Sequence, residues 1–318
     1  MNIFATGLID TNGDEESLFS SDGSDFFGYG AGWVYRFGKT TVRPQHGLEL
    51  FLTAPDEESA NQAFALVSDC MCAIHMENMH LLEDMKPTPI DRLADTMCID
   101  NTSRMILVIR GVVDAAELAA KASKRHDFVY AISRLALSCM LTNCSPYQVE
   151  IERGRRNAFS DYPLDHVRIG TATLLAYSAI EQIGLGIDGR KHIDKHGKWL
   201  PQMREEYIAL LCTLGIDQHE KIPWMIRGKQ SRIQSSFPRA QSEPASWQSD
   251  YISDEMLSIP DAVNRARILR NKFGGHAFTE AITDIRIQEA VSVQYLAHSL
   301  IIPAINHTST KLLDRENH

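Results

Sequence analysis

The spacing of hydrophobic and polar positions in the first half of the chain predicts short strands. Residues 33–42 are rich in aromatic and β-branched side chains, and residues 46–53 place leucines at alternate positions. The apolar run RMILVIRGVV at 104–113 predicts a further strand and has the strongest strand pattern in the chain. These segments are short enough to form one sheet.

Helical patterns separate and follow these strands. Acidic residues directly after Pro55 favour a helix N-terminus there, and we expect that helix to run to about residue 79. Asp114 begins an alanine-rich periodic stretch, which predicts a second helix to about residue 141. Strands alternating with helices in this order predict a small α/β domain with one sheet.

Beyond residue 150 the apolar positions recur at helical spacing. Pro201 stands at a favourable first helical position, and Gly215 is expected to end the helix that it opens. We predict no strand here, so this half is expected to be an all-α bundle, and the fold class of the whole chain is α+β. The four predicted helices cover residues 164–187, 201–214, 261–272 and 285–305.

Length and charge support a division into two domains. The chain has 318 residues, about twice the usual domain size, and its formal net charge is −9. Residues 1–150 hold 21 acidic and 11 basic side chains, whereas residues 151–318 hold 20 and 21. We therefore expect a regulatory or sensing domain at 1–150 and a helical domain at 160–310, which is the half suited to an anionic partner.

Composition excludes several classes of protein. Six scattered cysteines do not form a disulfide framework, which favours reduced thiols and a cytoplasmic location. No apolar run reaches the ~18 residues of a membrane helix, so no membrane partner is expected. Neither a cofactor fingerprint nor a metal-ligand set is found, so we expect no cofactor and no metal.

Three weak motifs do not support a site. The segment GWVYRFGKT at 32–40 has the wrong glycine spacing and bulky residues for a phosphate loop, and it reads on as a strand. Cys70 and Cys72 lie within a predicted helix, where residues two apart face in different directions, so we interpret them as buried thiols. His192 and His196 are surrounded by Lys, Asp and Gly, which predicts an exposed loop.

The segment NRARILRNKFGGH at 264–276 is the strongest candidate for chemistry. Arg267 and Arg270 are three residues apart and share a helix face. The two glycines that follow permit a sharp turn, which would bring His276 back beside Arg270 and Asn271. Arginine can hold two phosphate oxygens in a bidentate fork, and a neutral imidazole can accept a proton. This inventory suits metal-free cleavage of RNA, in which His276 takes the 2′-OH proton and Arg270 stabilises the phosphorane.

A structural interpretation of the same residues is also open. Arg270 could simply be a cation at a helix C-terminus, where positive charge is favoured, with the glycines as the C-terminal turn. Spacing alone favours this structural interpretation, since Arg and His five residues apart are common.

Arg270, Asn271 and His276 together resemble the Arg-x4–6-His signature of HEPN domains, in which the residue after Arg is frequently Asn. The run RNKFGGH is also similar to the C-terminal domain of abortive-infection proteins. The stretch LLAYSAIEQIGLGI at 174–187 resembles the first helix of the family, including an acid, Glu181, that often faces the motif. The resemblance covers residues 160–310 and implies a HEPN-like helical bundle.

The resemblance implies a metal-independent endoribonuclease of a bacterial antiviral, abortive-infection or toxin–antitoxin system. Catalytic roles are expected for Arg270, His276 and Asn271, and supporting roles for Arg267 (RNA contact) and Glu181 (tethering Arg270). The expected partners are RNA, a second copy bound through the helical bundle, and a protein or phage-derived trigger at the N-terminal domain. Two alternatives remain open: a non-catalytic HEPN dimerisation or binding module whose partner binds the first half, and a helical adaptor with a fortuitous motif.

Overall fold

The computed structural model describes the chain in segments. They are residues 2–9, 27–29, 34–40, 48–76, 88–90, 96–97, 111–142, 163–225, 242–244, 255–273 and 287–316. The described residues divide into two compact units, with the boundary between Val129 and Tyr130. Helices and strands are present in both units, so the α+β class of the chain is confirmed in this coarse sense.

The secondary structure elements are numbered in chain order. The strands are β1 (Asn2–Ile9), β2 (Phe27–Tyr29), β3 (Val34–Thr40), β4 (Leu48–Ala54), β5 (Thr88–Ile90), β6 (Thr96–Met97), β7 (Lys221–Trp224), β8 (Ser242–Pro244) and β9 (Glu255–Ser258). The helices are α1 (Glu57–His75), α2 (Val112–Ala122), α3 (His126–Thr142), α4 (Pro163–Gln182), α5 (Gly189–His192), α6 (Pro201–Thr213), α7 (Ile259–Phe273) and α8 (Ile287–Glu316).

The N-terminal unit contains an antiparallel sheet in the order β2-β3-β4-β1-β5, and β6 pairs with the end of β3. Strands β3 and β4 confirm the two strands predicted at 33–42 and 46–53. Strand β1 has no counterpart in the sequence prediction, and it pairs with β4 over nearly its whole length, with a register shift between Gly7 and Ile9. Hydrogen bonding to β4 stabilises β1 as a strand, although the residues of β1 do not themselves show a strand pattern.

Helix α1 begins as its sequence predicts. The side chain of Asp56 accepts a hydrogen bond from the backbone N–H of Ser59 at 2.7 Å, and Glu57 and Glu58 occupy the first turn. Its packed face includes Cys70 and Cys72, both fully buried, and burial raises the pKa of the Cys70 thiol. The interpretation of these cysteines as buried thiols is confirmed.

The predicted helix at 114–141 is two helices, and the prediction of one was wrong. Helix α2 ends at Ser123, whose hydroxyl donates to the carbonyl of Ala120 at 2.8 Å, and α3 begins three residues later. Arg125 pairs with Asp127 in the first turn of α3, and its guanidinium lies 4.0 Å from the centroid of the Phe128 ring. A local ion pair thus favours the break that the hydrophobic pattern alone does not indicate. The predicted strand at 104–113 lies mostly outside the described residues, and its last two residues belong to α2.

The C-terminal unit is built on α8, which packs against α4 and α7, while α4 also contacts α7. The prediction that this half is all-α was wrong. Strands β7, β9 and β8 form a three-stranded antiparallel sheet in that order, and β7 contacts α8. Each strand has three or four residues, and Pro223 lies inside β7, so neither a period of two nor strand propensity marks them in the sequence.

Candidate functional site

A cavity of about 450 Å³ lies between α7, the end of α4 and the loop that follows α4. All of its lining residues belong to the C-terminal unit. They are Tyr177, Glu181, Gly184, Gly186, Ile187, Asp188, Gly189, Arg267, Arg270 and Asn271. Its volume is in the range of small-molecule sites.

The loop exists because α4 ends earlier than its apolar pattern predicts. Gly184 has a φ of 80°, and its N–H donates to the carbonyl of Glu181 at 3.0 Å, while the N–H of Leu185 donates to the carbonyl of Ile180 at 3.1 Å. These two hydrogen bonds form a Schellman motif, which stops a helix at a left-handed glycine. The predicted end of this helix at residue 187 was therefore wrong, and residues 184–188 are free to line the cavity.

Two further glycines let the loop lie against side chains of the site. A Cβ on Gly186 would stand 2.5 Å from Cγ of Glu181, and a Cβ on Gly189 would stand 2.5 Å from Nη1 of Arg267. Any other residue at either position would push the acid or the guanidinium away. The close approach of backbone and side chain therefore requires glycine here.

Two buried tyrosines hold the loop after α4 in place by hydrogen bonds. The hydroxyl of Tyr207 donates to the carbonyl of Leu185 at 3.0 Å, and the hydroxyl of Tyr177 accepts from the N–H of Ile187 at 3.2 Å. Burial raises the pKa of Tyr177 to about 12, so this phenol is neutral at physiological pH and can still donate its proton.

Arg270 lies in the last turn of α7 at the mouth of the cavity. Its Nη1 donates to Oδ1 of Asn271 at 3.0 Å, and its Nη2 is 3.5 Å from Oε1 of Glu181. The side chains of Arg270 and Glu181 are 43% and 36% exposed, so solvent screens their attraction, and the pair holds the guanidinium loosely rather than anchoring the fold.

Arg267 lies one turn earlier and is held differently. Its Nε and Nη2 both donate to Oδ1 of Asn264, at 3.2 and 2.9 Å. The buried amide of Asn264 in turn donates to the carbonyl of Gly197 at 3.0 Å. Arg267 is half-buried, and burial lowers its pKa below the ordinary arginine value. Its positive charge is therefore oriented by a neutral amide.

Four of the sequence-predicted residues meet at this cavity: Arg267, Arg270 and Asn271 on α7, and Glu181 near the end of α4. The fifth, His276, lies outside the described residues, as do all of residues 274–286. Arg270 is at a helix C-terminus, as the structural interpretation requires, yet its hydrogen bond and ion pair go to the side chains of Asn271 and Glu181.

Three groups at the site have no counterpart among the sequence-predicted residues. Tyr177 and Asp188 line the cavity, and Asn264 orients Arg267. The signal was present in the repeated glycines of GLGIDG at 184–189, since a helix rarely continues through such a run.

The structure also describes residues of the other motifs considered in the sequence. Residues 34–40 form strand β3, so the interpretation of GWVYRFGKT as a strand is confirmed. His196 is exposed, and Nδ1 of His192 lies 2.9 Å from the backbone carbonyl of Asp188. Among the residues that the structure describes, no group of three or more His, Cys, Asp and Glu side chains could hold a metal ion.

Comparison of the chain with models of known families, with curated proteins and with solved structures finds no match. Within the described part of the chain, none of the helices combines the length and the hydrophobicity needed to cross a bilayer.

Proposed function

We propose that the C-terminal unit is a metal-independent endoribonuclease of the HEPN class. The observation that carries the proposal is the meeting of Arg270, Asn271 and Glu181 at one cavity, a few residues before His276 in the sequence. A guanidinium that is oriented by an amide and a carboxylate and is 43% exposed is well suited to contact an RNA phosphate.

In the proposed reaction His276 removes the proton of a ribose 2′-OH, and the 2′-oxygen attacks the adjacent phosphorus. A cyclic 2′,3′-phosphate forms as the bond to the 5′-oxygen breaks, and a protonated histidine returns a proton to that oxygen. Arg270 stabilises the charge of the phosphorane, Asn271 orients Arg270 or the phosphate, and Glu181 tethers the guanidinium.

The base and the acid of this reaction require two histidines, and the motif supplies one in each chain. We propose that two copies pair through residues 160–310 and place two motifs in one groove, because an isologous interface repeats every contact. The N-terminal unit would then receive the trigger, a protein or a phage-derived molecule, in a bacterial antiviral or abortive-infection system.

A second candidate function is a non-catalytic HEPN dimerisation or binding module. It is favoured by the same ion pair, since Arg270 already has partners in Asn271 and Glu181 without any ligand. In that case the pair would serve to hold the end of α4 against α7.

The deciding experiment measures cleavage of a fluorescently labelled RNA by the full chain in excess EDTA. We expect cleavage by the unmodified chain and by His196→Ala, an exposed histidine outside the cavity, and none by His276→Ala of equal thermal stability. Activity should rise between about pH 6 and 7 as the base loses its proton. Strict dependence on added Mg²⁺, or equal activity of His276→Ala, would contradict the proposal; no cleavage under any condition would favour the binding module.

A further inference from the structure

The cavity contains groups that the proposed cleavage does not use. Besides Arg270, it is lined by Arg267, Tyr177 and Asp188. The resemblance implies only a general RNA contact for Arg267, and the other two have no role in the proposed cleavage. Their hydrogen-bond partners show what this part of the cavity could bind.

Arg267 presents a positive charge that the protein orients but does not neutralise. Two edges of its guanidinium are used by the amide oxygen of Asn264, which leaves Nη1 facing Gly189 at the cavity wall. Among the described residues Arg267 forms no ion pair within 4 Å, although the carboxylate of Asp188 acts on it from a greater distance. A half-buried cation that is fixed by a neutral partner is stabilised most by an anion that enters beside it.

Tyr177 supplies a second donor to the same place. Its side chain is 1% exposed, and its hydroxyl accepts a hydrogen bond from the N–H of Ile187. In the described part of the chain this is its only hydrogen bond, so the hydroxyl proton is available to an acceptor in the cavity. A neutral phenol and a guanidinium of the same cavity are suitable donors for the oxygens of a phosphate.

Asp188, in the loop that lines the cavity, supplies an acceptor. One of its carboxylate oxygens accepts from the backbone N–H of Arg190 at 2.8 Å, which fixes the side chain in place. The other oxygen has no hydrogen bond among the described residues. Carboxylates accept hydrogen bonds from ribose hydroxyls in nucleotide sites, because each hydroxyl is a donor.

We propose that the part of the cavity lined by Arg267, Tyr177 and Asp188 is a subsite for one ribonucleotide unit, in which Arg267 and Tyr177 bind the phosphate and Asp188 binds the ribose hydroxyls. The volume of about 450 Å³ is sufficient for such a unit. The subsite rests on the proposed function only for the source of the bound ribonucleotide. If the protein cleaves RNA, this ribonucleotide would belong to the RNA strand, one position from the phosphate held by Arg270. A free mononucleotide has the same chemistry.

Equilibrium binding to the full chain carrying His276→Ala tests the subsite without any cleavage. The probes are nucleoside 3′-monophosphates, their 2′-deoxy counterparts and inorganic phosphate, measured by titration calorimetry. We expect the ribonucleotide to bind at least about 10-fold more tightly than either of the other two, equivalent to ~1.4 kcal/mol. No ribonucleotide binding at millimolar concentration, or phosphate binding as tightly as the nucleotide, would overturn the proposal.

Single substitutions test how much each residue of the subsite contributes to binding. Arg267→Gln should weaken the ribonucleotide about 10-fold or more, Tyr177→Phe a few-fold, and Asp188→Asn should remove the preference for ribose over deoxyribose. Gly189→Ala keeps the arginine but moves its guanidinium, so it should reproduce the loss seen with Arg267→Gln. Arg190→Gln, on the exposed side of α5, is the matched control and should bind as before. Unchanged affinity in both Arg267→Gln and Gly189→Ala, with thermal melting preserved, would sink the subsite.

A competition experiment distinguishes the two possible sources of the ligand, an RNA strand and a free mononucleotide. Displacement of the mononucleotide by a short RNA, again on His276→Ala, assigns the subsite to the RNA strand, whereas binding of the mononucleotide without competition assigns it to a free nucleotide. Absence of cleavage by the unmodified chain would refute the nuclease and leave this binding result standing, so the two failures are distinguishable.

Discussion

Polar side chains of the α3–α4–α8 core and polar side chains of the cavity have different partners. In the core, Nε2 of Gln294 donates to the hydroxyls of Ser138 and Thr142 at 2.9 and 3.1 Å. The Ser138 hydroxyl then donates to the carbonyl of Ala172 at 2.7 Å, so one network joins three helices. In the cavity, Arg267 and Tyr177 each keep a donor that no described residue accepts.

The difference separates polar groups that hold the fold from polar groups that can bind a ligand. The network around Gln294 joins helices through buried hydrogen bonds, although the Oε1 of Gln294 itself has no partner among the described residues. Such bonds stabilise the packing of the helices, since breaking them leaves further unpaired groups away from water. A group that is oriented yet incompletely paired contributes less to stability and is prepared to bind an external partner. The comparison predicts that substitutions in the two regions have opposite effects on stability and on function.

The largest effect is expected for Arg270→Ala. The variant should lower RNA cleavage by ~10²–10³-fold, because it removes the donor that stabilises the phosphorane. Its free energy of unfolding should change by less than about 1 kcal/mol, because the pair with Glu181 is exposed. Cleavage rates and urea unfolding measured on the same preparation check both parts. A large loss of stability with unchanged cleavage would place Arg270 among the structural residues.

A pair of helix-ending glycines provides the next test. Gly184 and Gly215 both have positive φ, 80° and 71°, and both end helices by the same two hydrogen bonds. A Cβ on Gly215 would stand 2.4 Å from Cγ of His307 on α8, whereas one on Gly184 would meet nothing within 4 Å. Gly215→Ala should therefore destabilise by about 2–4 kcal/mol, from backbone strain plus a steric clash. Gly184→Ala, at the cavity rim, should cost only about 1 kcal/mol. Equal losses in urea unfolding would contradict the clash.

Ser138→Ala tests the core network directly. The variant leaves Nε2 of Gln294 with one partner and the carbonyl of Ala172 without the hydroxyl, so we expect a loss of about 1–3 kcal/mol. Binding of a mononucleotide should not change. Ser178 is not a suitable control, because it contacts Arg134. Thr213, an exposed residue with a hydroxyl group at the end of α6, is a better control. A change in binding without a change in stability would end the distinction between the two regions.

The smallest expected effect concerns pH. His298 is largely buried on α8 beside Tyr295, with ring centroids 6.3 Å apart, and burial lowers its pKa below the ordinary value. The unfolded chain then binds more protons than the folded chain between the two pKa values, so stability falls as pH drops below about 6.5. The slope from this group is at most ~1.4 kcal/mol per pH unit. His298→Gln should flatten the pH dependence of urea unfolding between pH 5 and 7, and an unchanged slope would refute this account.

Much of the helical structure could be predicted because its signals are local. Asp56 and the acids after it mark the start of α1, and Pro201 and Gly215 mark both ends of α6. Arg270, Asn271 and Glu181 were also selected as neighbours in advance, and the structure places them together. The break at Ser123 and the end of α4 at Gly184 were not foreseen, because an apolar pattern that continues outweighs a single turn residue.

The helix-forming segments, the basic face of α7 and the glycines that permit sharp turns could be read from the sequence, because each depends on residues within a few positions of one another. Two features depend on contacts between distant segments: the three-stranded sheet, in which β7 pairs with β9 more than 30 residues away, and the cavity, whose walls come from residues 177–189 and 267–271. The close approach of Gly189 to the guanidinium of Arg267 depends on packing between these distant segments. Such contacts follow from complementary shape and hydrogen bonding in three dimensions, which no periodicity along the chain encodes.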